Sequence, residues 1–287
     1  MNPSLSIVVP AYNEAARLGK SLDTILAYLS SYPGASELIV VDDGSTDETA
    51  RIAEQRLAQA GSGVRTKLIG VSPNRGKGYV VRAGLLASSA PVALFTDADL
   101  STPITETPKL VEPIERGRAD LTFGSRAIDR ALIGIHQPWR REQGGKVFNL
   151  IVRLATRLPF WDTQCGFKAF RMSVCRPIIE AATIDRFGFD VELIYVAHLA
   201  KLSLAEIPVR WDHHEGSKID VTRDSLRMTN EVRAIRRQAR AGHYNQAIAV
   251  ARETANLEKL SSAAAANQEQ TAPSDASPEL ADAARRI

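Results

Sequence analysis

The sequence predicts an α/β sandwich, a largely parallel central sheet with helices packed on both faces. Three observations predict it. Short apolar, β-branched runs such as SIVVP (6–10), ELIVVDD (37–43) and PVALFTDAD (91–99) alternate with longer stretches whose apolar residues recur at the helical period. Turn-forming clusters such as SYPG and SPNRG separate them. A strand, helix, strand order also demands right-handed crossovers, which set neighbouring strands parallel and cover both faces of the sheet.

The elements follow in chain order. SIVVP is a strand ended by proline, and Asn13 stands where it can cap a helix carrying Leu18, Leu22, Ile25, Leu26 and Leu29 on one face. ELIVVDD is a second strand, and Ser45 with Glu48 has the spacing of a capping box for a second helix. RTKLIG reads as strand, GKGYVVRAGLLASSA as helix, and PVALFTDAD as a strand ending on Asp97 and Asp99. A helix around Lys109–Arg116 and the strand ADLTFGS come next, and the alternation then loosens between Ala127 and Phe160. FDVELIYVAHLAKLS (189–203) reads as helix, LAEIPVRW (204–211) as strand and 222–241 as a basic helix. No internal repeat is present. These elements predict one domain over 1–241 and a C-terminal extension over 242–287. From about residue 260 the extension lacks large apolar side chains, so a flexible tail is expected there.

Composition narrows the function. With 287 residues, 44% hydrophobic and 24% charged, the chain has the balance of a soluble globular protein. A net charge of +3 gives no ground for a nucleic-acid partner. Cys165 and Cys175 have no His or Cys neighbours at metal spacing, so neither a disulfide framework nor a zinc site is expected, and a reducing cytoplasm fits. The N-terminus MNPSLSIVVPAYNEA lacks the basic region of a signal peptide. No apolar run approaches the roughly 18–20 residues of a spanning helix, so any membrane contact is expected to be peripheral.

In a sheet of this kind ligands gather beyond the carboxyl ends of the strands, where Pro10 to Glu14, Asp42 with Asp43, and Asp97 to Asp99 all fall. Two carboxylates one residue apart in an extended chain point to opposite sides. One can hold a ribose or a loop while the other reaches Mg²⁺ or Mn²⁺ bridging two phosphates. A lone D-x-D also fits a solvated turn in which Asp99 caps the helix beyond Pro103. Its place at the end of a buried strand, with no lysine nearby in sequence and a second acidic cluster on the same rim, favours the site. In SPNRGKGYVV, two glycines and two cations between Arg75 and Gly78 precede a helix, so backbone amides and Lys77 can meet a diphosphate or sugar. A plain helix N-terminal turn has the same composition.

The stretches SIVVPAYNEAARL, IVVDDGSTDET, NRGKG, FTDADLST, GSRA, DTQCGFKAF, FDVEL and EGSK occur in this order between residues 6 and 218. Together they resemble a family 2 glycosyltransferase of the Rossmann-like GT-A fold, on the branch of dolichyl-phosphate β-glucosyltransferases and polyprenyl-phosphate mannosyltransferases. NRGKG, DTQCGFKAF and FDVEL followed by EGSK are closer to the glucosyl members. The resemblance implies an inverting transfer of a sugar, glucose from UDP-glucose first of all, to polyprenyl or dolichyl phosphate at the cytoplasmic face of a membrane. It implies that Pro10, Tyr12 and Glu14 line the base and ribose, that Asp43 binds the uracil or ribose edge, and that Lys77, Asp97 and Ala98 complete the nucleotide-sugar pocket. A metal, Mg²⁺ or Mn²⁺, would be held by Asp99 with Asp97 and Ser101; mannosyl relatives often have glutamine in place of Ser101.

A phosphate acceptor is already ionised and needs cations more than a base. Arg126, Arg141 and Lys218 match the cationic positions of the family, and each also fits a surface ion pair. Asp190 of FDVEL suits a helix dipole, and it is the candidate general base if the acceptor is an alcohol. His213 and His214 read as polar loop residues. The alternatives are GDP-mannose or another donor, a soluble hydroxyl acceptor, or a non-catalytic nucleotide-sugar-binding protein.

Finally, RREQGGKVFNLIVRLATRLPFW (140–161) sets Val147, Leu150, Ile151, Leu154 and Leu158 on one helical face, with Lys146, Arg153 and Arg157 elsewhere. A basic amphipathic helix ending in Phe160 and Trp161 suits a membrane surface, and an ordinary core-facing helix has the same pattern. Glucosyl relatives usually carry an N-terminal spanning helix, whereas this chain starts at its first strand. Either the acceptor is reached by surface docking or it is soluble.

Overall fold

The structure, a computed structural model, describes residues 2–135, 139–213 and 221–271. Its first half is built as the alternation requires. β1 (Leu5–Ala11) is buried along its whole length between two parallel neighbours, which is why it is continuously apolar rather than alternating. α1 (Leu18–Ser31) returns over the sheet and buries Leu18, Leu22, Ile25 and Leu29, a stripe at helical spacing. β2 (Ser36–Asp42), α2 (Thr49–Leu57), β3 (Val64–Gly70), α3 (Lys77–Ala87) and β4 (Val92–Thr96) repeat the unit. Gly84 lets α3 lie close on the sheet, because a Cβ there would collide with Val8.

The second half is less regular. α4 (Thr107–Glu115) and β5 (Leu121–Ser125) precede a short strand β6 (Ile133–Ile135), α5 (Trp139–Thr156) and β7 (Phe167–Arg171). Then come α6 (Met172–Ala181), α7 (Phe189–Leu199), β8 (Leu204–Pro208), β9 (Trp211–Asp212), α8 (Val221–Arg240) and α9 (Asn245–Thr271). The seven-stranded sheet runs β3-β2-β1-β4-β7-β5-β8, while β6 and β9 pair separately. It is parallel except for β7, which is antiparallel to β4 and to β5. That reversal matters for the site, because it brings the entry of β7 beside the exit of β4 with Phe167 opposite Thr96. Two apolar clusters fill the layers on either side of the sheet, one around Val8, Phe95 and Phe123 and the other around Ile7, Leu38 and Phe167.

Local expectations differ from the structure at four places. Asn13 caps no helix: it sits in the left-handed region, and its side-chain oxygen accepts from the Thr46 amide at 2.8 Å, tying the β1 exit to the β2 exit. Ser45 does not open α2 either, since its hydroxyl donates to Asp42; Asp47 caps that helix by accepting the Thr49 amide at 3.0 Å. Residues 97–100 form a turn rather than extended strand, closed by the Leu100 amide on the Asp97 carbonyl at 3.1 Å with Leu100 at positive φ. The fourth difference is the extension. α9 runs to Thr271, beyond the point where a tail is expected, because the alanines of SSAAAANQEQ are strong helix formers.

Nor does the extension stand apart from the domain that precedes it. Tyr244, Ala247, Ala251 and Ala255 are buried. Arg252 donates to the last carbonyls of α7, Leu199 at 3.0 Å and Ala200 at 3.3 Å. The Tyr244 hydroxyl lies 2.7 Å from the buried carboxylate of Glu192 on α7. Replacing Tyr244→Ala opens a cavity and removes that donor, so we expect urea denaturation to show a loss of about 3–5 kcal/mol; a loss under about 1 kcal/mol would place α9 outside the cooperative core.

Candidate active site

β1, β2 and β4 end on one edge of the sheet, and the chain beyond each contributes a wall of one cleft of about 400 Å³. Pro10, Tyr12 and Glu14 come from the β1 exit, Asp43 from β2, and Asp97, Ala98 and Asp99 from β4. The turn at 97–100 aims the two aspartates differently. Asp97 donates its amide to the Gly166 carbonyl at 3.1 Å and places its carboxylate 2.5 Å from the Lys77 ammonium. Gly166 is required there, since a Cβ on it would overlap that carboxylate. Asp99 accepts the Ser101 amide at 2.9 Å with one oxygen, while the other lies 4.0 Å from the Arg17 guanidinium. Asp97 is thus paired with a lysine distant in sequence. Burial alone would make Lys77 give up its proton more readily, but Asp97 and Asp190 more than offset this and raise its proton affinity.

Asp43 shapes the next wall. Its carboxylate accepts from the Asn74 side chain at 2.8 Å, the Arg75 amide at 2.7 Å and the Gly76 amide at 2.8 Å. The amides expected to meet a diphosphate are therefore occupied by Asp43, and Lys77 is the group of NRGKG left facing the acids. Gly76 and Gly78 are needed for another reason: the segment 184–186 passes so close that neither has room for a Cβ. That segment also brings Arg186 and Phe187 into the cleft.

Beneath the floor lies a buried ion pair. Lys168 is fully buried in β7, 2.6 Å from an Asp190 oxygen and 2.5 Å from the Cys165 carbonyl. Burial raises the proton affinity of Asp190, and the charges of Lys168 and Lys77 offset part of that rise. To one side, Arg126 grips Asp162 with two parallel bonds, Nε at 2.7 Å and a terminal nitrogen at 2.9 Å. Burial by itself would push the Asp162 carboxyl up; the Arg126 charge and hydrogen bonds overcome it and hold Asp162 at about 2.

A nucleotide-sized cleft at the carboxyl edge of a mixed sheet, with paired aspartates at its base, is the geometry against which known proteins compare. The sequence profile described as glycosyl transferase family 2 matches residues 6–179. The chain belongs to this family. Among the curated relatives of this glycosyltransferase, the dolichyl-phosphate beta-glucosyltransferase of Dictyostelium discoideum is 33% identical over 246 residues, covering 82% of this chain and 74% of the relative. The human protein of the same name is 35% identical over 230 residues, covering 75% and 69%. Among solved structures, the glucosyl-3-phosphoglycerate synthase of Mycobacterium tuberculosis, in complex with Mn²⁺, UDP and glucosyl-3-phosphoglycerate, superposes with a TM-score of 0.60. It is 22% identical, and the match covers 84% of this chain and 80% of that one. At that identity the likeness establishes the GT-A fold.

Within the glycosyltransferase, the expected residues divide by location. Pro10, Tyr12, Glu14, Asp43, Lys77, Asp97, Ala98 and Asp99 meet in the cleft. Ser101 stands behind Asp99 and orients it through its amide. Asp190 lies under the floor rather than among the lining residues, and Arg126 is engaged by Asp162 beside it. The Arg141 side chain, Lys218 and the rest of EGSK, and His214 lie outside the described residues. Sequence reasoning missed Arg17, Arg186 and Phe187. Arg17 follows Glu14 within AYNEAARL and donates to its carboxylate, so the i, i+3 spacing was a visible signal; Arg186 and Phe187 gave none. Both cysteines are free and buried.

The Arg126–Asp162 pair carries a pH prediction. Asp162 binds its proton more weakly in the folded protein than in the unfolded chain, so its contribution to stability is complete above about pH 4 and is lost as the pH falls to about 2. Unfolding free energy measured across that window should drop by on the order of 2 kcal/mol more in the native protein than in Asp162→Asn.

Proposed function

We propose that this glycosyltransferase moves glucose from UDP-glucose to a polyprenyl phosphate of the dolichyl type, with inversion, at the cytoplasmic face of a membrane. The observation that carries this reading is the convergence of Asp97, Asp99 and Lys77 at the base of a cleft large enough for a nucleotide sugar. The names of the relatives support the sugar and the acceptor. The M. tuberculosis structure with UDP-glucose and Mn²⁺ bound in the same fold supports the donor. No described helix is long and apolar enough to cross a membrane, so the reading places the protein peripherally on the surface.

The donor set fits a divalent ion. Asp99 and Asp97 present hard oxygen ligands, and Asp99 keeps an oxygen whose nearest cation is 4.0 Å away. Among the described residues no cluster of three or more His, Cys, Asp or Glu could hold a metal by itself. That suits Mg²⁺ or Mn²⁺, which bind through one or two carboxylates and complete their shells with water and substrate phosphates. When bound, the ion would neutralise charge on the departing diphosphate. Asp99 and Asp97 would hold it, with Ser101 keeping Asp99 in place.

In the transfer, an oxygen of the acceptor phosphate bonds to the anomeric carbon as the bond from that carbon to the diphosphate breaks on the opposite face, and UDP leaves. Tyr12, 39% exposed at the lip of the cleft, offers a ring to the base. Lys77 and Arg17 offset charge at the diphosphate, and Arg126 is the cation beside the acceptor path. Arg141 and Lys218 remain candidates for the same role. The phosphate needs no deprotonation, which agrees with Asp190 lying buried against Lys168. The raised proton affinity of Asp190 favours a second reading, in which it serves as base toward a hydroxyl acceptor.

The test incubates purified protein with UDP- and GDP-sugars, Mg²⁺ or Mn²⁺, and polyprenyl phosphate in detergent, and follows labelled lipid. Transfer should need UDP-glucose and the metal, and Asp99→Ala should lower it by about 10²–10³-fold or more. Asp190→Asn should cost less than about tenfold with the phosphate acceptor; a loss of about 10²–10⁴-fold would instead mark general-base catalysis and the hydroxyl reading. Full turnover by Asp99→Ala would remove the metal assignment.

A further inference from the structure

α5 turns its apolar stripe away from the protein. Val152, Thr156 and Leu158 are buried, so they form the face that packs inward. Leu150 is 53% exposed, Leu154 73%, and Ile151 is exposed beside them. Of the residues expected to share one core-facing stripe, only Leu158 among those described is covered. Trp161 extends the surface at 57% exposure, and the Arg153 guanidinium lies 3.9 Å from the centre of its ring. Residues 143–161 contain Lys146, Arg153 and Arg157 and no Asp or Glu. A soluble protein rarely shows so contiguous an apolar surface unless something covers it.

This surface is rigidly joined to the acceptor side of the cleft. Phe160 packs edge-on against Phe123 of the core, with ring centres 5.0 Å apart. The Trp161 and Asp162 amides both donate to Glu206, at 2.8 and 2.7 Å. Asp162 in turn holds Arg126, and the next turn reaches the cleft wall through Gln164, whose side chain donates to the Phe187 carbonyl at 3.3 Å. Trp161 is therefore fixed one residue from the group that positions the acceptor cation.

We propose that the outward face of α5, with Trp161, docks the protein onto an anionic lipid bilayer. Leucines and a tryptophan interspersed with Arg153 and Arg157 match such a surface twice over: the apolar side chains enter the headgroup boundary, and the arginines meet lipid phosphates. The Arg153 guanidinium lies over the Trp161 ring, so a cation and an interfacial aromatic share one place on this surface. Docked in this way, the protein presents Arg126 and Asp162 to the membrane side. That last consequence rests on the lipid-phosphate reading above, whereas the docking does not.

The test is co-sedimentation of the full chain with phosphatidylcholine vesicles, with and without phosphatidylglycerol. The native protein should bind the anionic vesicles, and Leu150→Glu/Leu154→Glu should bind them at least about tenfold more weakly with an unchanged melting temperature. Transfer to a short, water-soluble prenyl phosphate should be the same in both proteins, while transfer to long-chain polyprenyl phosphate in vesicles should fall in the variant. Equal sedimentation of native protein and variant, or no binding by the native protein, would overturn the proposal. So would a dimer, seen by light scattering, that the double substitution converts to monomer without changing vesicle binding, because the face would then cover a second copy. Transfer to neither acceptor together with loss of vesicle binding in the variant would remove the acceptor reading and leave the docking surface standing.

Discussion

Four carboxylates crowd one cleft, and each must be matched by a fixed donor or the edge would repel itself apart. The matching is done locally and with little freedom. Lys77 faces Asp97, Arg17 holds Glu14 and approaches Asp99, and the amides of residues 75 and 76 saturate Asp43. Lys77, Arg17 and the amides of residues 75 and 76 are therefore engaged by the protein's own carboxylates. Two cations for four carboxylates leave this edge net negative, which is the physical reason for a divalent ion to accompany any further anion that enters it.

Much of that arrangement hangs on residues 162–168. Asp162 pairs with Arg126, Gln164 reaches Phe187, Gly166 backs the Asp97 carboxylate and Lys168 supports Asp190. One segment can do all of this because β7 enters the sheet in reverse. A parallel strand in the same place would start at the far edge and carry these residues away from the cleft. The buried Lys168–Asp190 pair is a costly element: the ammonium donates to the Cys165 carbonyl and lies 2.6 Å from Asp190, and the charges of Lys168 and Lys77 offset part of the cost of burying that carboxylate.

The helices outside the sheet extend the same logic. Glu192 sits fully buried on α7 and accepts the amides of Thr183 and Ile184 at 2.9 Å each, and Tyr244, in the turn that leads into α9, adds its hydroxyl. The segment so fixed is the one that crowds Gly76 and Gly78. The C-terminal helix is thus connected to the loop of residues 75–78 through a carboxylate, and the segment that follows α5 to Arg126 through Asp162.

The sequence by itself determined the parallel half of the sheet, the edge where the site lies and most of its acids. These are legible because burial of both sheet faces imposes continuous β-branched runs, and because glycines and aspartates gather where such strands end. It also carried the family, since the motifs keep their order from 6 to 218. It did not reveal the reversed strand: FKAFR is short, its buried lysine breaks the apolar pattern, and a strand covered on both faces reads as a buried run in either direction. Likewise the α5 stripe was equally suited to core or membrane, because periodicity gives a face but not its orientation. Lys77 paired with Asp97, Asp43 holding the amides of residues 75 and 76, and Arg126 bound to Asp162 were decided by tertiary structure alone. Each joins residues far apart in the chain, and electrostatic pairing depends on distance through space.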